Sequence, residues 1–301
     1  MNDIQHLNKK YSINHQVSFS TGKGDLPLIN ISTNKARATI SLNGGQVISF
    51  KPVSSEQDLM FVSQNAYFQF DKAIKGGSPI CWPWFAANPE DESLPFHGFV
   101  RNQLWQVHSS ELLDNGDIVI KLIFNDSDKT RAIWPHQFEL VEVITIGTTL
   151  DIELITKNKG EQPMSITQAL HTYFNVGDIT RVNVTGLENK TYLDKVDDFL
   201  EKEQSGPITV HREVDRIYQD VDKPLCIHDE VLNRKILIEH TGSATTVVWN
   251  PWIDISRDSG DLEDDDYTRF ICVETANAAD DIVTIAPEEK YTIRVSYQIQ
   301  S

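Results

Sequence analysis

Cysteine is scarce in this chain of 301 residues: Cys81, Cys226 and Cys272 are odd in number and set far apart. No CxxC pair or Cys/His ladder accompanies them, so neither a disulfide framework nor a metal site is indicated. A run of 18 apolar residues is also missing. The N-terminus, Met1-Asn2-Asp3-Ile4-Gln5-His6, has no basic segment leading into an apolar one, so no membrane span or secretory signal is expected. Basic charge is in short supply as well. Lys and Arg total 27 against 44 Asp and Glu, a formal net charge of −17. A nucleic-acid binder would show a basic face, and an anionic membrane surface would repel this chain. HExxH, GxSxG and GxGxxG are absent, and Lys75-Gly76-Gly77-Ser78 lacks the GxxxxGK[ST] spacing of a phosphate loop. A soluble, cytoplasmic protein is expected, in which the sequons at Asn30, Asn125, Asn183 and Asn189 stay bare.

What the chain does have is strand signal. Leu28–Thr33, Ala36–Leu42, Gln46–Lys51, Ile118–Phe124, Phe138–Ile146, Leu150–Thr156, Lys235–His240, Thr245–Trp249, Arg269–Glu274 and Tyr291–Gln298 are short, rich in Val, Ile, Thr and aromatics, and bounded by turn residues. Asn43-Gly44-Gly45, Asp114-Asn115-Gly116-Asp117 and Ile146-Gly147-Thr148-Thr149 read as hairpin connections. The last of these sets Leu140, Glu142 and Ile144 against Asp151, Glu153 and Ile155. Helical periodicity is nearly absent. The pattern predicts an all-β protein, a large antiparallel β-sandwich, in one domain spanning residues 1–301. Asn88–Pro95 and Asp258–Asp266 read as surface loops, and Leu193–Gly206 as a loop or short helix. The acidic run Asp258–Asp266 fails the calcium-loop spacing, since Gly260, Leu262 and Arg269 stand where ligands belong.

Two titratable residues interrupt apolar, strand-like runs: His171 in Met164–Phe174 and Glu274 in Phe270–Asn277. Such groups must be hydrogen-bonded, paired or functional. Taken singly, a strand His or Glu is more often structural than catalytic. Together they are the minimum kit for one group to donate a proton while another removes one. Ala73–Phe85 combines paired glycines with Trp82-Pro83-Trp84-Phe85, which suits either flat sugar-binding walls or core packing. His97 and Arg101 lie four apart among apolar residues, and Arg101 could grip a carboxylate or phosphate with two bonds. Asp215 precedes an apolar pair and, alone, reads as an exposed carboxylate.

These segments carry a resemblance. Lys75–Phe85, His97–Asn102, Gln168–Phe174, Val214–Tyr218, Trp249–Trp252 and Cys272–Thr275 together closely resemble the D-hexose-6-phosphate mutarotases (glucose-6-phosphate 1-epimerases), a branch of the aldose 1-epimerase superfamily. The motifs run in family order over nearly the whole chain. The resemblance implies a β-supersandwich of the galactose mutarotase type, no metal or organic cofactor, a sugar phosphate as the small-molecule partner, and a monomer. It implies Glu274 as general base and His171 as general acid, Arg101 and Asp215 as substrate-binding residues, and His97 as the first histidine of the sugar pocket. Lys75 stands where most relatives have arginine, and Phe96 where some have glutamine. Lys75 keeps the charge but loses the planar fork, and it is expected to bind substrate by joining Arg101 in the positive field that holds the phosphate. The implied reaction interconverts the α and β anomers of a hexose 6-phosphate, with His171 and Glu274 flanking the sugar ring without touching each other, and with His171 setting the alkaline limb of a bell-shaped pH profile. A non-catalytic sugar-binding module on the same sandwich is the alternative. Glycoside hydrolysis through Asp215 and Glu274 is a third.

Overall fold

Strands are the dominant regular element of the computed structural model, which describes residues 3–300. Four sheets form, and every strand pair within them is antiparallel. The largest has nine strands. It contains the hairpin Phe138–Ile146/Leu150–Asn158, in which buried and half-buried residues alternate without a break. That alternation is what a sheet with one face on a core demands. The register corrects the pairing read from the sequence: Glu142 opposes Leu154 and Ile144 opposes Ile152. Asp151, Glu153 and Ile155 lie on the other, half-exposed face, because side chains one residue apart point to opposite sides of a sheet. A four-stranded sheet, Val17–Thr21, Pro27–Ser32, Ala36–Ser41 and Gln46–Pro52, forms beside it.

The third large sheet carries the chemistry. Its strands, in chain order, are β1 (Ile80–Cys81), β2 (Gln168–Leu170), β3 (Tyr173–Asn175), β4 (Thr191–Asp194), β5 (Leu200–Glu203), β6 (Val214–Tyr218), β7 (Thr245–Asn250) and β8 (Phe270–Asn277). They lie in the order β5-β4-β6-β7-β8-β2-β1, and β3 also pairs with β8. Strand β8 is buried along its full length, so it takes an apolar sequence with one carboxylate in it. The back of this sheet packs on the nine-stranded sheet. Thr172 bonds the Tyr297 hydroxyl at 2.6 Å, and Phe174 meets the Tyr297 ring edge-on at 5.1 Å. His171 and Tyr173, the alternate residues, therefore face the other way.

Two expectations change here, and one left open is resolved. The run around His171 is not one strand: β2 ends at Leu170 and β3 begins at Tyr173, leaving His171 and Thr172 between them. The segment 193–206 is neither loop nor helix but the β4/β5 hairpin, closed by a short 3-10 turn at Lys195–Asp197. Its far strand is an exposed, charged edge, so no hydrophobic alternation marks it in the sequence. Trp82 and Trp84 are core rather than sugar walls. Trp82 is fully buried, with its indole N–H donated to Thr156.

Candidate active site

Strands β2 and β3 pair with β8 in one continuous register, with Leu170 opposite Thr275 on one side of the break and Tyr173 opposite Cys272 on the other. The gap in the ladder thus falls where His171 faces Glu274. Across that gap His171 Nε2 lies 3.3 Å from Glu274 Oε1, and both side chains are buried. The contact overturns the expectation that the pair would stand apart. The main chain of His171 is held by its N–H donating to Pro79 O.

Residues paired across a sheet share a face. The row beside this pair contains Tyr173, Cys272, Trp249 and Asp215, because Tyr173 opposes Cys272, Cys272 opposes Trp249 and Trp249 opposes Asp215. The face is closed from the side by the segments bearing Lys75 and His97. The resulting pocket, about 210 Å³, is lined by Lys75, Phe85, Phe96, His97, Arg101, His171, Tyr173, Lys195, Asp215, Val247, Trp249 and Glu274. All six residues singled out in the sequence meet here. Lys195 does too, and the sequence reading missed it. The aromatic walls are Tyr173, Trp249, Phe85 and Phe96.

Two glycines let the side segments approach. A Cβ on Gly98 (φ +71°) would lie 1.9 Å from Trp82 O, and one on Gly76 (φ +117°) would lie 2.3 Å from Phe61 O. Only glycine fits either place. They set His97 and Lys75 at the pocket. The Nδ1 atom of His97 accepts from Ala86 N–H at 3.0 Å, which leaves the proton of the neutral ring on Nε2. The ring packs against Phe85 and Phe96 and meets the His171 ring edge-on at 5.5 Å.

Burial dominates the electrostatics. It pushes His171 down to about 3, with the positive field of Arg101 adding to the effect. It pushes Glu274 well above the usual carboxyl range, helped by repulsion from Asp215. His97 is held well below its ordinary value by burial and then by Arg101. Burial thus favours a protonated carboxyl facing a neutral imidazole over the charged pair. Glu274 Oε2 and His171 Nδ1 are buried and have no hydrogen-bond partner among the described residues.

The three cations differ in their company. Lys75 pairs with Asp261 at 3.2 Å and Lys195 with Asp215 at 2.5 Å. Arg101 makes no ion pair among the described residues and donates only to Phe96 O, at 2.9 Å. Burial raises Asp215, and Lys195 works against that rise. The donor atoms of His171, Cys272 and Glu274 are buried and lie within 4.8 Å of one another, close enough to gather round a metal ion. In the acidic run, Glu263 and Asp266 are already engaged by Arg269.

The aldose 1-epimerase family matches residues 27–298. A relative from Salmonella typhimurium, named "Putative glucose-6-phosphate 1-epimerase", is 39% identical over 84% of each chain. A mutarotase-type structure from the same species, YeaD, superposes with a TM-score of 0.90 at 34% identity, covering 97% of this chain and 96% of that one. A galactose mutarotase-like protein from Clostridium acetobutylicum shares the fold alone, with a TM-score of 0.73 at 16% identity over 96% of this chain and all of that one. The chain belongs to the aldose 1-epimerase family.

Proposed function

We propose that this protein is an isomerase that interconverts the α and β anomers of a hexose 6-phosphate, with His171 and Glu274 as its acid/base pair. The observation that carries this reading is the 3.3 Å contact between two buried, oppositely perturbed titratable groups on the floor of a cation-lined pocket. Environments that push two pKa values apart mark acid and base roles. The name of the Salmonella relative supplies the substrate class.

The chemistry follows from the pair. Both oxygens that exchange protons, the anomeric hydroxyl and the ring oxygen, are bonded to the same sugar carbon. The groups that serve them must stand side by side, as His171 and Glu274 do. In the reactive form the shared proton is on His171 and Glu274 is ionised. Glu274 takes the proton of the anomeric hydroxyl through its free Oε2, and His171 gives its proton to the ring oxygen. The bond from the anomeric carbon to the ring oxygen breaks and the aldehyde forms. Rotation about the adjacent carbon–carbon bond turns the other carbonyl face toward the C5 hydroxyl, and closure reverses both transfers. Each transfer is worth roughly 10²–10⁴-fold.

Ring opening leaves the carboxyl protonated and the imidazole neutral, the state that burial favours in the free protein. The proton can return directly across the 3.3 Å contact. An anionic phosphate offsets the cations that hold His171 down and so favours its charged form. Asp215 and His97 hold sugar hydroxyls, and Arg101, free of a counter-ion, holds the phosphate. The test is polarimetry on freshly dissolved anomers: the protein should speed equilibration of glucose 6-phosphate far more than that of glucose or galactose. Binding of all three sugars without acceleration would leave a sugar-binding module.

A further inference from the structure

We propose that Lys195, rather than Lys75, is the second cation that contacts the anionic end of the substrate, so that Lys195 decides selectivity for phosphorylated sugar together with Arg101. The proposal rests on the reading of the pocket as a hexose-phosphate site. Its basis is where each lysine's counter-ion stands. Lys75 pairs with Asp261, which is outside the pocket lining. The turn bearing Asp261 is tied down, because Leu262 is buried and its carbonyl accepts from Asn65 Nδ2 at 3.1 Å. Lys75 lines the pocket, but its ammonium is held by a carboxylate that does not. Lys195 pairs with Asp215, which is itself part of the lining, so its counter-ion holds the ammonium inside.

An ammonium has three N–H donors. Asp215 Oδ2 takes one from Lys195, whose side chain lines the pocket and stays 20% exposed. Lys195 can therefore keep Asp215 charged and still donate to a second anion. Its place on the sheet fits the far end of a sugar. The order β4-β6-β7-β8 puts Lys195, just after β4, three strands from Glu274. At about 4.8 Å per strand its backbone is roughly 14 Å from that of Glu274. From there its side chain still lines the same pocket as Glu274. A group so placed meets the end of the sugar remote from the anomeric carbon.

Lys195 could act only by positioning Asp215, and a double-mutant cycle separates the two roles. Asp215→Asn and Asp215→Asn/Lys195→Ala proteins are compared in two measurements: kcat/KM for anomer exchange of glucose 6-phosphate and of glucose, and affinity for inorganic phosphate by calorimetry. With Asp215 already gone, loss of Lys195 should still weaken phosphate and lower kcat/KM for glucose 6-phosphate about tenfold, as for a charge-assisted bond. Glucose should change by less than about twofold. Lys195→Arg in the wild-type background should retain most of the selectivity, and Lys75→Ala should cost less than Lys195→Ala. Equal losses on both sugars, or unchanged phosphate affinity in the double variant, would overturn the role of Lys195. A wild-type protein that binds phosphate through Lys195 but exchanges no anomers would instead overturn the proposed function, so the two failures are told apart.

Discussion

His171 and Glu274 face each other at the one break in the ladder that joins β2 and β3 to β8, and their side chains meet there at 3.3 Å. A ladder interrupted at that place frees the His171 backbone to bond Pro79 while its ring stays in register with the carboxylate. The consequence is a closely coupled pair, and such pairs titrate as a unit.

That coupling revises the pH dependence read from the sequence. The alkaline limb was expected from His171, yet His171 is depressed to about 3 and Glu274 is raised. Burial thus opposes a second proton on the pair and holds the first one above the usual carboxyl range. With glucose as substrate, kcat/KM should show a plateau reaching well to the acid side of an ordinary imidazole and falling at alkaline pH as the pair's last proton leaves. Plain sugar is the right probe, because a phosphate monoester titrates near pH 6 on its own account. An acid limb centred near pH 6.5, the unperturbed imidazole value, would show that the pair is not coupled in this way.

Arg101→Ala should raise KM for glucose 6-phosphate by roughly 10–150-fold while affecting glucose much less, the loss expected for a charge-assisted contact. Lys75→Ala should act in the same direction with a smaller effect, because Asp261 already neutralises that ammonium. Added salt should weaken the phosphorylated substrate selectively. Steady-state kinetics on both sugars reads each of these. Equal loss of both sugars in the Arg101 variant would make the arginine a structural support of the Phe96 carbonyl, to which it donates.

Another carboxyl is buried without any such use. Glu142 lies in the core with neither oxygen bonded to a described residue, and burial alone raises it well above its ordinary value. In the folded state it stays protonated where the unfolded chain would ionise. Its contribution to stability is thus fully present below the unfolded value of about 4.3 and is lost as pH rises toward the folded one. Glu142→Gln keeps the shape without the ionisable group. Its melting temperature at pH 7.5 should exceed that of the wild type by about 2 °C or more, with the difference vanishing near pH 4. Thermal unfolding at the two pH values measures it, and equal or lower stability at pH 7.5 would mean that Glu142 is ionised and held by its surroundings.

How much of this was legible in the sequence depended on contrast. Glu274 stood out because a lone carboxylate sits in an otherwise apolar run, and β8 is buried end to end. The hairpin Phe138–Ile146/Leu150–Asn158 was legible from strict alternation, but the burial of Glu142 was not, because a polar residue on the apolar face looks like one on the other. Lys195 was invisible for the opposite reason. It sits in the charged stretch Leu193–Gly206, where one more lysine carries no signal, and only pairing with β6 brings it to Asp215. The contact between His171 and Glu274 depends on register between segments about a hundred residues apart, which local pattern does not encode. The Trp-Pro-Trp-Phe cluster was ambiguous, and packing resolved it: Trp82 and Trp84 went to the core and Phe85 to the pocket.

The central claim is that His171 and Glu274 pass protons to and from the anomeric centre. It is tested most directly by two-dimensional exchange NMR on glucose 6-phosphate at anomeric equilibrium, with wild-type, Glu274→Gln and His171→Asn proteins at equal concentration. The cross-peaks between the α and β anomeric protons should grow rapidly with the wild type and at least about 100-fold more slowly with either variant, while both variants keep the wild-type circular dichroism spectrum. Near wild-type exchange in a folded Glu274→Gln protein would contradict the account, for the amide cannot take up the proton.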